Sequence, residues 1–150
     1  MKAISVRQPW AWAIIHAGKD VENRSPDTIA RWKSLVGQRI AIHASSLMPL
    51  RQWEEVAKFM NGLGVTPPQP NQLERGAIIG FVDVVDTVKS SKSKWFEKGL
   101  HGLLFANPKP ISKVFVCRGN SSIFNAPDGI ERYAGTGKTD SASIGSVNPP

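Results

Sequence analysis

The run Gly76-Ala77-Ile78-Ile79-Gly80-Phe81-Val82-Asp83-Val84-Val85-Asp86 constrains this chain more than any other stretch. Its β-branched and aromatic content reads as the strongest strand of the sequence. Gly80 interrupts it, and a glycine inside a strand marks a bulge or the sharp bend of a barrel strand. Downstream, His101–Ala106 and Ser112–Cys117 read as two further strands joined across Asn107-Pro108-Lys109-Pro110. A doubly wound sheet needs helices between most of its strands, and here the later strands follow one another directly. The expected fold is therefore α+β: a small, partly closed β-barrel of five to six strands with two flanking helices.

The first half supplies the helices. Lys2 to Gln8 alternates as a short strand. Pro9 suits the first turn of a helix, where its missing N–H would go unpaired anyway. That helix is expected from Pro9 to Ala17, with Gly18 as its left-handed cap. Lys19 to Arg24 then reads as a second strand with Asp20, Glu22 and Arg24 on one face, and Gly37 to Ala44 as a third. Leu50 to Asn61 has helical period, with Leu50, Trp53, Val56, Ala57 and Met60 in one stripe. Residues 1–133 are expected to form one domain. Residues 134–150, rich in Gly, Ser, Thr and Asn, are expected to form a flexible tail.

Several function classes drop out. A single cysteine, Cys117, makes neither an internal disulfide nor a structural zinc site, and reads as a small core residue. His16, His43 and His101 show no metal-ligand spacing, so neither a metal nor another cofactor is expected. No apolar run approaches the roughly 20 residues that span a bilayer. The N-terminus does not read as a signal peptide, and the expected compartment is the cytoplasm. Gly135-Thr136-Gly137-Lys138-Thr139 ends like a phosphate-binding loop, but Arg132 stands where that loop begins with glycine, and no strand precedes it.

Charge gives a direction. Nineteen Lys and Arg against twelve Asp and Glu leave +7, which attracts polyanions, nucleic acid foremost. The basic stretch Lys89-Ser90-Ser91-Lys92-Ser93-Lys94-Trp95-Phe96 places Lys92 and Lys94 for phosphate contacts. Trp95 there either stacks on an unpaired base or plugs the barrel end. Trp10 and Trp12 point to different sides of their helix, so one of them is a candidate to line a cleft. Lys19, Glu22 and Arg24 crowd against the core segment. They form either a surface ion-pair ladder or a charged site that binds phosphate or shuttles a proton.

Taken together, Ile4-Ser5-Val6-Arg7-Gln8-Pro9-Trp10-Ala11 and Gly18-Lys19-Asp20-Val21-Glu22-Asn23-Arg24 resemble the ASCH domain, a family of PUA-like barrels. Gly37-Gln38-Arg39-Ile40-Ala41-Ile42-His43-Ala44-Ser45, the Gly76–Asp86 strand, Leu103–Pro108 and Cys117-Arg118-Gly119 extend the resemblance over residues 2–133. The chain keeps Lys-x-x-Glu-x-Arg, but Gly18 adjoins the lysine and Ala17 holds the glycine position of the motif. The resemblance implies a cleft between barrel and helices, and binding of RNA or of a nucleotide or nucleoside. Lys19 and Arg24 would hold a phosphate or base edge, and Glu22 would orient them or accept a base N–H. Arg7, Gln8 and Ser45 would complete the wall, with Trp10 as a stacking platform. Family branches that resemble a metal-independent ribonuclease or an amidohydrolase of a modified nucleoside imply an alternative, in which Lys19 and Glu22 are the catalytic pair. Glu22 stands where the amidohydrolase branch has its threonine nucleophile.

Overall fold

The protein is described by a computed structural model over residues 1–135. Its elements run β1 (Lys2–Val6), α1 (Trp10–His16), β2 (Val21–Arg24), α2 (Pro26–Trp32), β3 (Arg39–Ala44), α3 (Leu50–Gly62), β4 (Ala77–Val88), β5 (His101–Val116) and β6 (Phe124–Asn125). The strands form one mixed sheet in the order β2-β5-β4-β3-β1-β6, which does not close on itself. Only β1 and β3 are parallel, with Ile4 opposite Ile42. A parallel pair needs a long crossover, and the α1–β2–α2 segment supplies it. This is the expected α+β architecture, with a third α-helix added.

The α1 helix lies in the fold interior, with Ala11, Ala13, Ile14 and Ile15 all buried. Its seat explains Gly80. A Cβ at Gly80 would sit 2.7 Å from Ile15 Cδ1 and 2.7 Å from the Lys109 carbonyl oxygen. The strand therefore yields its side chain to the helix on one side and to its neighbour's backbone on the other. The β4–β5 register shifts between Ile78 and Gly80, the bulge anticipated for this glycine.

Three expectations are corrected. First, His101–Ala106 and Ser112–Cys117 are not separate strands. The chain runs as one strand through Pro108 and Pro110, with Asn107 left-handed at φ 52°. The irregular stretch holds because Arg39 donates to Asp83 Oδ1 (2.8 Å) and to the Asn107 carbonyl (3.0 Å), while Asn107 Nδ2 donates to Asp83 Oδ2 (2.7 Å). Second, the unforeseen α2 starts at Ser25, whose Oγ accepts the Thr28 N–H, with Pro26 following the cap. Its Trp32 and Ile29 are buried. Third, the apolar stripe of α3 is buried only from Val56 onward; Leu50 is exposed.

Ala134, expected in the tail, is buried, and its carbonyl accepts from Arg39 Nε at 2.6 Å. Residues 136–150 of the expected tail, with Thr136 to Thr139 of the glycine-rich stretch, lie outside the described residues. Among the described residues, no helix is long and apolar enough to cross a membrane.

The Gly80 contact sets a clear outcome. Gly80→Ala is expected to destabilise by about 1–3 kcal/mol through overpacking against backbone. Gly62→Ala, at a helical position with nothing within 4 Å of the added Cβ, is expected to be neutral or stabilising. Thermal melts of the two variants beside wild type test this.

Candidate anion-binding site

The charged motif folds into a buried cluster. Gly18, at φ 74°, turns the chain out of α1 and directs Lys19 inward. Lys19 Nζ donates to the Val21 carbonyl at 2.5 Å and to Glu22 Oε1 at 2.9 Å. The other carboxylate oxygen, Oε2, accepts from Arg24 Nε at 2.9 Å. Arg24 Nη2 also donates to the Ser5 carbonyl at 3.1 Å. Aromatic rings back both cations: Lys19 Nζ lies 5.2 Å from the Trp10 ring centroid and the Arg24 guanidinium 4.7 Å from that of Trp32. Lys19 is 2% exposed and Glu22 6%, so this is not a surface ladder. Burial by itself would raise the Glu22 carboxyl, but the charges and hydrogen bonds of Lys19 and Arg24 outweigh it and hold that carboxyl below its ordinary value.

Arg24, unlike its partners, is partly open, and it lines a cavity of about 620 Å³. Arg7 and Arg118 line the same cavity, with Ser5, His43 and Ser45. Among the described residues no carboxylate lines it. Among the described residues Arg7 bonds the neutral Gln52 side chain (3.0 Å), and neither Arg7 nor Arg118 has an ion-pair partner there. Three guanidinium groups thus line one cavity, Arg24 paired to Glu22 behind it and Arg7 and Arg118 without an ion pair among the described residues, which is what an anion needs.

One wall is the loop from Cys117 to Ser121, pinned to the sheet by Ser5 and His43. His43 Nε2 lies 2.8 Å from the Cys117 carbonyl oxygen, which only accepts, so Nε2 carries a proton. In the neutral ring Nδ1 then accepts from Ser5 Oγ at 3.0 Å. Ser5 Oγ in turn accepts the Asn120 N–H at 3.2 Å. Gly119 closes over the pair: a Cβ there would lie 2.3 Å from Ser5 Oγ and 2.5 Å from His43 Cε1. Burial raises the Cys117 thiol, against a hydrogen bond to the Ile78 backbone. A raised thiol is a poor nucleophile at neutral pH.

Of the residues singled out in the sequence, Arg7, Arg24 and Ser45 meet at this cavity. Lys19 and Glu22 stand behind Arg24 and do not line it. Gln8 is buried and ties α1 to a distant loop, accepting from the Trp12 N–H and donating to the Glu74 carbonyl, both at 2.8 Å. Trp10 lies against Phe59 on a separate groove of about 420 Å³. Lys92 and Lys94 are exposed on the β4–β5 connection, away from the residues that line the cavity. Trp95 is 3% exposed and packs in a core cluster with Ala13, Val21, Val56 and Met60, so it presents no exposed stacking ring. Sequence reading missed Arg118, Asn120 and the Ser5–His43 pair. Among the described residues no three His, Cys, Asp or Glu side chains converge as metal ligands.

No known family matches the chain by sequence, and no curated protein does. Among solved structures the chain is similar to that of ASCH from Zymomonas mobilis. The two align over 97% of this chain and 94% of that one, at 16% identity and a TM-score of 0.45.

Two outcomes follow from the geometry. Glu22→Gln strands Lys19 and is expected to cost about 3–5 kcal/mol at pH 7. Because the folded-state value of Glu22 is depressed, its contribution is full above the ordinary carboxylate range and is lost as pH falls through that range and below. Denaturant melts should therefore show the gap between wild type and Glu22→Gln narrowing as the solution is acidified. Gly119→Ala is expected to shift the wall loop. In an NMR spectrum it should move the Ser5, His43 and Asn120 signals while β4 signals stay in place.

Proposed function

We propose that this protein is a cytoplasmic RNA- or nucleotide-binding domain whose ligand sits in the cavity faced by Arg24. The observation that carries the reading is the convergence of Arg7, Arg24 and Arg118 on one cavity with no carboxylate among its described lining residues. A guanidinium fork held by a carboxylate on one edge and a ring on its face is pre-organised for phosphate, so little side-chain entropy is lost on binding. Glu22 and Lys19 serve this by fixing Arg24. Ser45 adds a neutral hydroxyl to the wall, and the chain's +7 charge raises the local concentration of polyanions.

Hydrolysis by Lys19 and Glu22 finds less support. The Lys19 ammonium already holds two acceptors, both Glu22 oxygens are engaged, and neither residue lines the cavity. A general acid or base has to reach the proton it moves.

The test is a mobility-shift assay with labelled single-stranded RNA and transfer RNA in chelator. The RNA is expected to stay intact and to shift, with the affinity falling with salt at a log–log slope of about −2 for three contacts. Arg7→Ala and Arg118→Ala are each expected to weaken binding roughly tenfold and to flatten that slope. Lys92→Ala and Lys94→Ala should have the smaller effect. Cleaved RNA, or binding indifferent to both arginine variants, would overturn the proposal.

A further inference from the structure

The geometry points to a narrower ligand, on the premise of the reading above: we infer that the cavity takes a terminal phosphomonoester, not an internal stretch of nucleic-acid backbone. Three features separate the two.

The first is charge. A terminal phosphate carries close to two negative charges near neutrality, whereas each internal diester carries one and is spaced along the strand. Here three guanidinium groups face one cavity instead of following a track. The basic loop that would extend a track, with Lys92 and Lys94, contributes nothing to the lining.

The second is donor geometry. Arg24 spends Nε on Glu22 and one Nη2 hydrogen on the Ser5 carbonyl. Of the five N–H donors of a guanidinium, three remain, and a terminal phosphate offers three non-bridging oxygens where a diester offers two. Arg7 and Arg118 reach the same cavity from β1's end and from the wall loop. More than one guanidinium is thereby available to a phosphate held in the cavity.

The third is the absence of a stacking surface. Strand-tracking sites interleave cations with aromatic rings on which bases stack. Among the described residues no Phe, Tyr or Trp lines this cavity; besides the arginines its wall is serine hydroxyls, Asn120, two glycines, Cys117 and the His43 ring, whose two nitrogens are engaged by Ser5 and the Cys117 carbonyl. The aromatic groove with Trp10 and Phe59 shares no lining residue with it. The site is thus built to read a phosphate and leave the base unread. At about 620 Å³ the cavity lies in the range of small-molecule sites, roughly 300–1,000 Å³.

One chemistry has two sources, the phosphorylated end of an RNA and a free nucleotide. The experiment uses the full chain and fluorescence anisotropy with one labelled oligoribonucleotide in three forms: 5′-phosphate, 3′-phosphate, and hydroxyl at both ends. Adenosine 5′-monophosphate and inorganic phosphate serve as competitors. A phosphorylated form is expected to bind at least tenfold tighter than the hydroxyl form. Arg118→Ala, on the exposed wall loop, is expected to erase that difference, and Arg7→Ala to reduce it. Competition by adenosine monophosphate well below the concentration of inorganic phosphate needed would assign the free nucleotide as ligand. Competition by neither, with end-dependent binding, would assign the RNA end. All three forms binding alike, with Arg118→Ala weakening all equally, would overturn this inference and leave the proposed function standing. No binding of any oligonucleotide or of the competitors would overturn both.

Discussion

The buried carboxylate of Glu22 is the constraint on which the rest of the site depends. A carboxylate so enclosed survives as an anion only with its charge matched and its oxygens hydrogen-bonded, and Lys19 and Arg24 do both. Lys19 reaches it because Gly18 ends α1 in a left-handed turn, so the helix terminus is tied to the start of β2. Arg24 reaches it from the far end of β2 and continues to the Ser5 carbonyl on β1. One ionic cluster thus joins a helix, an edge strand and a strand near the opposite edge of the sheet. The guanidinium exposed to the cavity is the visible end of that chain.

A second linkage builds the opposite wall. Ser5 on β1 and His43 on β3 are adjacent only because those strands pair in parallel, Ser5 opposite His43. Together they take the Asn120 N–H and donate to the Cys117 carbonyl, which fastens the loop that carries Arg118. Gly119 permits the approach, since any side chain would collide with the pair. The cavity is therefore framed by two polar assemblies, and both start from β1: its Ser5 carbonyl holds Arg24 and its Ser5 hydroxyl holds the loop.

Much of the fold was legible because it rests on local chemistry. The early strands, α1 with its Pro9 entry and Gly18 exit, and the bulge at Gly80 are all set by period and by residues with special backbone freedom. Prolines misled where tertiary bonds overrode them. Pro108 and Pro110 signal a break, yet the Arg39–Asp83–Asn107 network carries β5 through. The start of α2 is marked in the chain only by the Ser25 cap and Pro26, a signal too short to set a helix apart from a turn. Within the site, Arg7, Arg24 and Ser45 were legible as polar residues at strand ends. Arg118 was legible only as part of the Cys117-Arg118-Gly119 match and not as a site residue, because its place beside Arg7 depends on a loop pinned to the sheet from far along the chain.

By itself the sequence determined the strand-rich α+β class, the basic character and the crowding of Lys19, Glu22 and Arg24 against a core segment. Those are matters of composition, period and spacing, which act over a few residues. Only the tertiary structure decided that Lys19 and Glu22 face inward as support while Arg24 faces outward. It alone brought Arg118, more than a hundred positions from β1, to the same cavity as Arg7. The physical reason is that burial and charge balance are properties of all the elements around a group. A carboxylate's role depends on which cations the sheet delivers to it, and sheet pairing is non-local.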